Sequence, residues 1–270
     1  MNICSLLNIK KTQLIDKTAL LPSINKHPAE REILKSGSIY LDKVVGGGFQ
    51  FGQMYLIFGK NKTGKTQLCH QLSVQAYRLL SPRQKPPVLT FYFDCENTFR
   101  PERIKELSSH HHLQTASVLK SIAVNKILST SALWLSFKEF EQNLDPQRKY
   151  VIIIDSINNH FRTERSDKDT IFWKVRDDFI KILMKIREIV DKYRILLVAS
   201  AQVSPNFIPE SIIEEIPVGN QYLNHFFSEY LYLKQTSEDK NYAHLVNSLT
   251  LLERKILYKI TGEGVQDYTI

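Results

Sequence analysis

One stretch of sequence decides the fold, and it reads Gly59-Lys60-Asn61-Lys62-Thr63-Gly64-Lys65-Thr66. It fits the pattern G-x-x-x-x-G-K-[ST] of a phosphate-binding loop. The apolar run at residues 54–58 predicts a buried strand before the loop, and residues 67–77 predict a helix after it. Strand, glycine-rich loop and helix in this order form the context that the pattern requires. The sequence therefore predicts a nucleotide-binding P-loop, with an ordinary glycine turn as the alternative.

The fixed positions of this loop each have a chemical reason. Glycine at positions 59 and 64 allows backbone conformations and a close approach that a Cβ would obstruct, so successive N–H groups can point at phosphate oxygens. The N-terminus of the following helix adds a partial positive charge. We expect Lys65 to reach the β- and γ-phosphates and the hydroxyl of Thr66 to bind Mg²⁺.

The composition is that of a soluble globular protein, with 43% hydrophobic and 24% charged residues in a chain of 270. No apolar run approaches the roughly 20 residues that a membrane span needs, and residues 1–9 are too short and poorly flanked for a signal peptide. We therefore expect no membrane partner and a location inside the cell. Three isolated cysteines suggest neither a disulfide framework nor a zinc site. The net charge of +8 suits a polyanionic partner but equally serves solubility.

The first 35 residues differ from the rest of the chain. They are lysine-rich and weakly patterned, and Pro22 and Pro28 break any long helix. We predict an N-terminal arm or linker at residues 1–35 and a single core domain at residues 36–270.

Strands and helices alternate through most of the core. The clearest strand, residues 150–155, is continuously apolar, which implies burial on both faces in a parallel sheet covered by helices. Further strands are predicted at residues 88–93, near 126–129 and at 195–199. Helices are predicted at residues 101–110, about 137–144 and 169–193. Strands at 230–234, 248–252 and 256–260 have no helices between them. The predicted fold is therefore α/β, a mostly parallel central sheet with helices on both faces and an antiparallel C-terminal extension.

Polar side chains follow four of these strands. They are Lys65 with Thr66, Glu96, Asp155 and Gln202. Because ligands of open α/β sheets bind outside the carboxyl ends of the strands, we expect these groups to converge on one nucleotide. A carboxylate such as Glu96 can polarise an attacking water, and an amide such as Gln202 can sense the γ-phosphate. Asp155 matches the second acidic motif that holds Mg²⁺, with a strand-ending cap as the alternative.

These residues make the chain resemble the RecA/RadA recombinase family of ATPases over about residues 36–268. The most specific matching string is Thr98-Phe99-Arg100-Pro101-Glu102-Arg103. Other matching segments lie at residues 41–48, 59–67, 94–97, 154–156, 202–203, 217–220 and 260–267. Residues 155–164 and 252–254 look most like RadB, the short archaeal paralogue, and a eukaryotic recombinase paralogue is the next nearest interpretation. The resemblance implies a RecA-type core, in the cytoplasm of an archaeon or the nucleus of a eukaryote.

The resemblance also implies a role for each matched residue. Residues 59–67 would bind ATP, Arg103 would stack on the adenine, and Thr66 and Asp155 would bind Mg²⁺. Lys65, Glu96 as general base, and Gln202 as the sensor that couples the γ-phosphate to the following loop would form the catalytic set. The segments at about 162–169 and 204–221 would be the two DNA-binding loops. In the first of them the candidate DNA contacts are Arg162, Arg165 and Lys168.

Several positions depart from the family pattern. Asn97 stands where the family usually has glycine, which predicts a shifted Glu96 and slower hydrolysis. The second loop carries Glu210, Glu214 and Glu215 without any Lys or Arg, a poor composition for neutralising phosphates. No clear Phe-x-x-Ala motif appears in residues 1–35, and no Asp-x-Pro cap appears near residues 252–256.

These features favour an ATP-binding paralogue that assists homologous recombination and repair. Its ATPase would be weak, its partner a RecA/RadA-type recombinase or paralogue, and its DNA binding weak to moderate, with single strands preferred. The oligomeric state stays open. One alternative is an autonomous DNA-dependent ATPase and strand-exchange recombinase, and another is a non-catalytic interaction module with structural ATP.

Three other features suggest chemistry but favour a simpler interpretation. The run His110-His111-His112 lacks acidic or cysteine partners at ligand spacing, which favours a surface loop over a metal site. Trp134, Phe137 and Phe140 have helical spacing and are predicted to be core, not a base-stacking platform. Cys95 is predicted to be a small buried hydrophobe.

Overall fold

The computed structural model describes residues 32–82, 88–167, 171–208, 211–237 and 240–268. The described residues belong to one compact unit that begins at Glu32. The arm predicted at residues 1–35 falls almost wholly outside the described residues, so the boundary near residue 35 stays a prediction.

Helices and strands alternate along the described chain. The helices are α1 (Ile39–Val44), α2 (Lys65–Leu80), α3 (Pro101–His110), α4 (Thr115–Lys120), α5 (Thr130–Gln142), α6 (Asn159–Ser166), α7 (Phe172–Tyr193) and α8 (Asn220–Leu223). The strands are β1 (Ile33–Leu34), β2 (Phe49–Gln50), β3 (Met54–Phe58), β4 (Thr90–Asp94), β5 (Ile122–Lys126), β6 (Val151–Asp155), β7 (Leu196–Ala201), β8 (Val203–Pro205), β9 (Glu215–Pro217), β10 (Glu229–Ser237), β11 (Lys240–Asn247), β12 (Arg254–Thr261) and β13 (Gly264–Asp267).

The central sheet has nine described strands in the order β13-β12-β11-β10-β3-β7-β6-β4-β5. The six strands from β10 to β5 run parallel, whereas β11, β12 and β13 continue the sheet as antiparallel neighbours. Two antiparallel pairs, β1 with β2 and β8 with β9, lie outside this sheet. The arrangement confirms the predicted fold class, a mostly parallel α/β sheet with an antiparallel C-terminal extension.

Alternate residues of the parallel strands face two separate cores. Tyr55 and Ile57 of β3 point into one core, which contains apolar residues of α1, α2, α3 and α4. Met54, Leu56 and Phe58 point into the other, which contains apolar residues of α5, α6 and α7. This alternation follows from the two-residue period of a strand. Because both faces are covered, β3, β6 and β7 are buried throughout, which explains their continuous apolar sequences.

The structure corrects the position of one predicted strand at the sheet edge. The strand predicted near residues 126–129 lies earlier, as β5. Only Ile122 of β5 is buried, and its last three side chains are exposed. An edge strand of this kind lacks the continuous apolar run that marks β6, so its sequence indicates its position only weakly. Two helices were also misjudged, since α4 was not predicted and α5 begins at Thr130 rather than near residue 137.

The C-terminal strands also differ in part from the prediction. Residues 248–252 connect β11 to β12 and form no strand, and Leu249 and Leu252 are 81% and 79% exposed there. β11 itself was not predicted. The strand predicted at residues 230–234 is β10, which pairs parallel with β3, so the antiparallel extension begins one strand later.

None of the helices in the described ranges has the length and apolar character that crossing a membrane requires.

Candidate nucleotide-binding site

The P-loop connects β3 to α2 and is shaped by two glycines. Gly59 has φ of 150°, and a Cβ on it would lie 2.0 Å from the carbonyl oxygen of Leu233 in β10. Gly64, the N-cap of α2, has φ of 91°, and its Cβ would lie 2.7 Å from Cδ1 of Ile260. Both positions combine a positive φ with a close neighbour, so only glycine fits without rearrangement. The loop is therefore held closely between the start of α2 and the C-terminal strands.

Lys65 is folded back onto the loop that precedes it. Its Nζ donates hydrogen bonds to the carbonyl oxygens of Gly59 at 2.7 Å and Lys60 at 2.9 Å. Burial lowers the pKa of Lys65, and the charges of Asp155 and Glu96 oppose that lowering. A phosphate at this position would bring further negative charge beside the buried ammonium group, so the side chain is suited to binding an anion.

Asp155 is the centre of a buried cluster of hydroxyl groups. Its Oδ2 accepts hydrogen bonds from Thr66 Oγ1 at 2.7 Å, Tyr92 Oη at 3.0 Å and Thr98 Oγ1 at 3.2 Å. Ser200 Oγ donates to the other carboxylate oxygen. A carboxylate and a threonine hydroxyl at this distance are the hard oxygen ligands that Mg²⁺ accepts beside phosphate oxygens. The residues present therefore fit a Mg²⁺ ion.

Glu96 lies beside this cluster and is linked to the end of β7. Its Oε1 accepts a hydrogen bond from Gln202 Nε2 at 2.9 Å and another from Ser156 Oγ. The next residue, Asn97, has φ of 57°, a conformation that asparagine adopts more readily than most residues other than glycine. Asn97 thus has a left-handed backbone conformation that glycine also adopts readily, and the shift of Glu96 stays a prediction.

Arg103 forms another wall of the site. Its guanidinium donates to Gln67 Oε1 at 2.6 Å, to Glu106 Oε2 at 2.7 Å and to the carbonyl oxygen of Thr261 at 2.7 Å. These contacts fix the plane of the guanidinium at the junction of α2, α3 and β12. The structure thus places Arg103 at the site, whereas its stacking on adenine stays a prediction.

These groups surround one cavity of about 730 Å³ at the carboxyl ends of the parallel strands. Its lining residues are Asn61, Lys62, Gly64, Lys65, Thr66, Gln67, Glu96, Thr98, Arg103, Glu106, Asp155, Ile260 and Thr261. The convergence expected from the strand ends is present, with Gln202 reaching the cavity through Glu96. The contributions of Tyr92, Ile260 and Thr261 to this site were not predicted from the sequence.

Comparison with known proteins gives the family. The family model described as Rad51 matches residues 30–268. The chain belongs to the Rad51 family. The DNA repair and recombination protein RadA of Metallosphaera sedula is 28% identical over 255 residues, which are 93% of this chain and 76% of that protein. The DNA repair protein Rad51 homolog of Drosophila melanogaster is 26% identical, covering 87% of this chain and 70% of the relative. The DNA repair protein RAD51 homolog 1 of Arabidopsis thaliana is 26% identical, with 89% and 71% covered. The resemblance to RadB in particular stays a prediction.

The first candidate DNA loop of this Rad51-family chain begins as a helix. Arg162 and Arg165 lie on α6, and both line a cavity of about 620 Å³ together with residues 217–221. Lys168 lies outside the described residues. The structure therefore brings two of the three predicted DNA contacts together beside the end of the second candidate loop, and their role in DNA binding stays a prediction.

The second candidate loop contains the antiparallel pair β8 and β9, in which Ser204 lies opposite Ile216. Its acidic residues contact basic residues of the core. Glu215 forms an ion pair with Lys60 of the P-loop at 2.9 Å, and Glu214 pairs with Lys234 of β10. Glu215 also accepts a hydrogen bond of 2.5 Å from the hydroxyl of Tyr232. These carboxylates thus serve internal contacts, and Glu210 lies outside the described residues.

The simpler interpretations of the remaining features agree with the structure. Phe137 and Phe140 are buried, and Trp134 packs partly buried against the same core, as predicted. Cys95 is buried, and burial raises the pKa of its thiol, so the reactive thiolate is disfavoured. His110 and His112 lie at the end of α3 and in the turn after it, and His111 contacts Gln75 of α2.

Proposed function

We propose that this protein binds MgATP in the cavity around Lys65 and acts in DNA recombination and repair together with a recombinase partner. The convergence of the P-loop, Asp155 and Glu96 on one cavity carries the proposal. Membership of the Rad51 family supports it, because the named relatives are DNA repair and recombination proteins. The likeness to RadB, a shorter paralogue, is part of the same proposal.

Each residue of the cavity has a separate task in binding ATP. Backbone N–H groups of residues 59–66 and the ammonium of Lys65 would hold the phosphates. The hydroxyl of Thr66 and the carboxylate of Asp155 would hold Mg²⁺, which when bound neutralises charge on the phosphate oxygens. Arg103 offers a planar guanidinium for the base. The hydroxyl groups of Tyr92, Thr98 and Ser200 keep the carboxylate of Asp155 in place.

Hydrolysis is proposed to be slow because Glu96 is already engaged. A general base must accept the proton of an attacking water. Oε1 of Glu96 instead accepts hydrogen bonds from Gln202 and Ser156, so this oxygen is occupied by protein donors and is not free to accept the proton of a water molecule. Gln202 therefore restrains Glu96 while it links the site to β8.

A partner-dependent role is favoured by the second candidate loop. Glu214 and Glu215 are committed to Lys234 and Lys60, and residues 204–221 contain no Lys or Arg. Such a loop supplies no cation for phosphate neutralisation. DNA contacts would then come mainly from Arg162 and Arg165, which suits an accessory protein better than an autonomous strand-exchange filament.

The test is a binding and hydrolysis assay on the purified full-length chain. Calorimetry with MgATP is expected to show binding that Lys65→Ala weakens at least about tenfold, the loss of one charge-assisted contact. Turnover is expected to stay low with single-stranded DNA alone and to change when a recombinase is added. Intact binding in Lys65→Ala would contradict the proposed site.

The autonomous recombinase is the alternative that the cavity beside Arg162 and Arg165 keeps open. It predicts strong stimulation of ATP turnover by single-stranded DNA without any partner, abolished in Glu96→Gln. Long filaments on single-stranded DNA formed by the protein alone would decide for this alternative and against the accessory role.

A further inference from the structure

An ion pair joins the P-loop to the β8–β9 pair, and it has no part in the proposed binding or hydrolysis of ATP. Lys60 is the second residue of the P-loop, and its Nζ lies 2.9 Å from Oε1 of Glu215, the first residue of β9. The Lys60 side chain is 70% exposed, whereas that of Glu215 is 4% exposed. The carboxylate is thus the buried member, and the lysine covers it from the solvent side.

Glu215 is held in place from a second direction. Its Oε2 accepts a hydrogen bond of 2.5 Å from the hydroxyl of Tyr232, a fully buried residue of β10. A buried carboxylate is costly unless its charge is compensated, and removing the partner leaves that charge uncompensated. The position of β9 therefore depends on where the P-loop holds Lys60.

The same carboxylate acts electrostatically on the phosphate-binding lysine. Burial lowers the pKa of Lys65, and Glu215 is among the nearby charges that oppose this lowering. The hydrogen bond and charge of Glu215 likewise raise the pKa of Lys60. Glu215 thus lies within electrostatic range of two lysines of the P-loop, although it belongs to another part of the fold.

We propose that the Lys60–Glu215 ion pair couples the occupancy of the P-loop to the position of β9, so that a bound nucleoside triphosphate weakens the pair and loosens the β8–β9 pairing. The proposal rests on nucleotide binding at the P-loop, as argued above. The ion pair is a second connection between bound phosphates and the second candidate loop. It is separate from the connection through Gln202, which reaches the cavity through Glu96.

The direction of the coupling follows from the charges. A triphosphate brings several negative charges to the P-loop, where they attract Lys60 and repel Glu215. Linkage is reciprocal, so if the nucleotide weakens the pair, the pair must weaken nucleotide binding by the same factor. Removing the charge of Glu215 should therefore tighten binding. Removing the charge of Lys60 also breaks the pair, but it takes away a cation that attracts the phosphates, so binding should weaken.

The variants can be matched closely. Glu215→Gln keeps the size of the side chain and an oxygen that accepts from Tyr232, so it removes mainly the charge. Lys60→Gln breaks the same pair from the other side. Glu214→Gln is the control, because Glu214 is the adjacent acidic residue but forms its ion pair with Lys234 of β10, and its charge is the weakest of the influences that shift the pKa of Lys60.

The experiment measures MgATP affinity by calorimetry and hydrogen exchange of peptides covering residues 203–217, with and without saturating non-hydrolysable MgATP analogue. In the wild type, nucleotide should speed exchange in these peptides. Glu215→Gln and Lys60→Gln should lose at least half of that nucleotide-dependent change, while Glu214→Gln keeps it. Glu215→Gln should bind nucleotide about three- to tenfold more tightly, as removal of one partly screened charge implies.

The outcomes separate this coupling from the proposed function. If the wild type binds nucleotide but exchange at residues 203–217 does not change, the coupling is wrong and nucleotide binding stands. The coupling is also wrong if the nucleotide-dependent change in hydrogen exchange in Glu215→Gln equals that of the wild type and of Glu214→Gln. If the wild type binds no nucleotide, the proposed function fails and the coupling with it.

Discussion

Gly59 shows how strictly a single residue can be set by its neighbours. Two features oppose a side chain at this position: the φ of 150°, and the carbonyl oxygen of Leu233, which would lie 2.0 Å from an ideal Cβ. Gly47 has a comparable φ of 107°, but a Cβ there meets nothing closer than 3.9 Å. Substitution at Gly47 therefore tests backbone strain alone, and substitution at Gly59 tests strain together with a steric collision.

Gly59→Ala is expected to lower the free energy of unfolding by about 3 kcal/mol or more, since strain and a backbone collision add. Gly47→Ala, with strain alone, is expected to cost about 1 kcal/mol. Urea denaturation of both variants measures the difference. Equal losses in the two variants would show that the approach of β10 to the P-loop is not tight.

At the scale of elements, His70 connects α2 to the start of α3. Its Nδ1 lies 2.7 Å from the carbonyl oxygen of Thr66 and its Nε2 accepts a hydrogen bond of 3.0 Å from the backbone N–H of Arg100. A carbonyl only accepts and an amide N–H only donates, so the ring must be neutral with its proton on Nδ1. Burial lowers the pKa of His70 in agreement with this.

The lowered pKa makes stability depend on pH. The unfolded chain binds a proton at His70 near its ordinary pKa of 6.5, whereas the folded chain binds it only at lower pH. Stability is therefore lost as pH falls below about 6.5 and continues to fall until the folded pKa is reached. In His70→Phe this part of the pH dependence should disappear, although the two lost hydrogen bonds should lower stability by about 1–3 kcal/mol at pH 7.5.

Thermal unfolding of the wild type and His70→Phe between pH 7.5 and 5.5 measures this effect. His225→Gln is the matched control, because His225 is exposed. The control should follow the wild-type slope. A His70→Phe slope as steep as that of the wild type would assign the pH dependence to other groups.

Strands that are buried on both faces were predicted from the sequence, whereas a half-exposed strand was misplaced. β3, β6 and β7 are buried on both faces, and their apolar runs marked them without reference to the rest of the fold. β5 is half exposed at the edge and its position was wrong. Residues 248–252 are apolar but form a connection, because pairing with a neighbour, and not apolar character, makes a strand. Sequence periodicity carries no information about which distant segments pair.

At the scale of the whole molecule, site residues that belong to recognisable strands were predicted, and those brought in by pairing between distant strands were not. Lys65, Thr66 and Asp155 were predictable because each follows or ends a recognisable strand, and so was their convergence. Ile260 and Thr261 were not, because they reach the cavity only after β11 has paired with β10 and β12 has paired with β11. The contact is then fixed by Arg103 with the carbonyl of Thr261 and by Tyr258 with the carbonyl of Thr63. The C-terminal extension therefore completes the nucleotide cavity.

The distribution of charge gives a prediction for DNA binding by the whole molecule. The net charge is +8, yet the acidic residues described in the second candidate loop are paired with core lysines. Phosphate contacts should then depend on Arg162 and Arg165 beside the cavity they share. Each cation that contacts a phosphate of a single strand releases counterions and adds about 0.7 to the slope of log affinity against log salt.

Arg162→Gln and Arg165→Gln are each expected to reduce that slope by about 0.7 and to weaken binding similarly for all sequences. Fluorescence anisotropy with labelled single strands at several salt concentrations measures both quantities. Lys120→Gln, at the exposed end of α4, is the control and should leave the slope unchanged. A slope that both arginine variants leave intact would place the DNA surface elsewhere, because a cation that contacts phosphate cannot be removed without changing the number of counterions released.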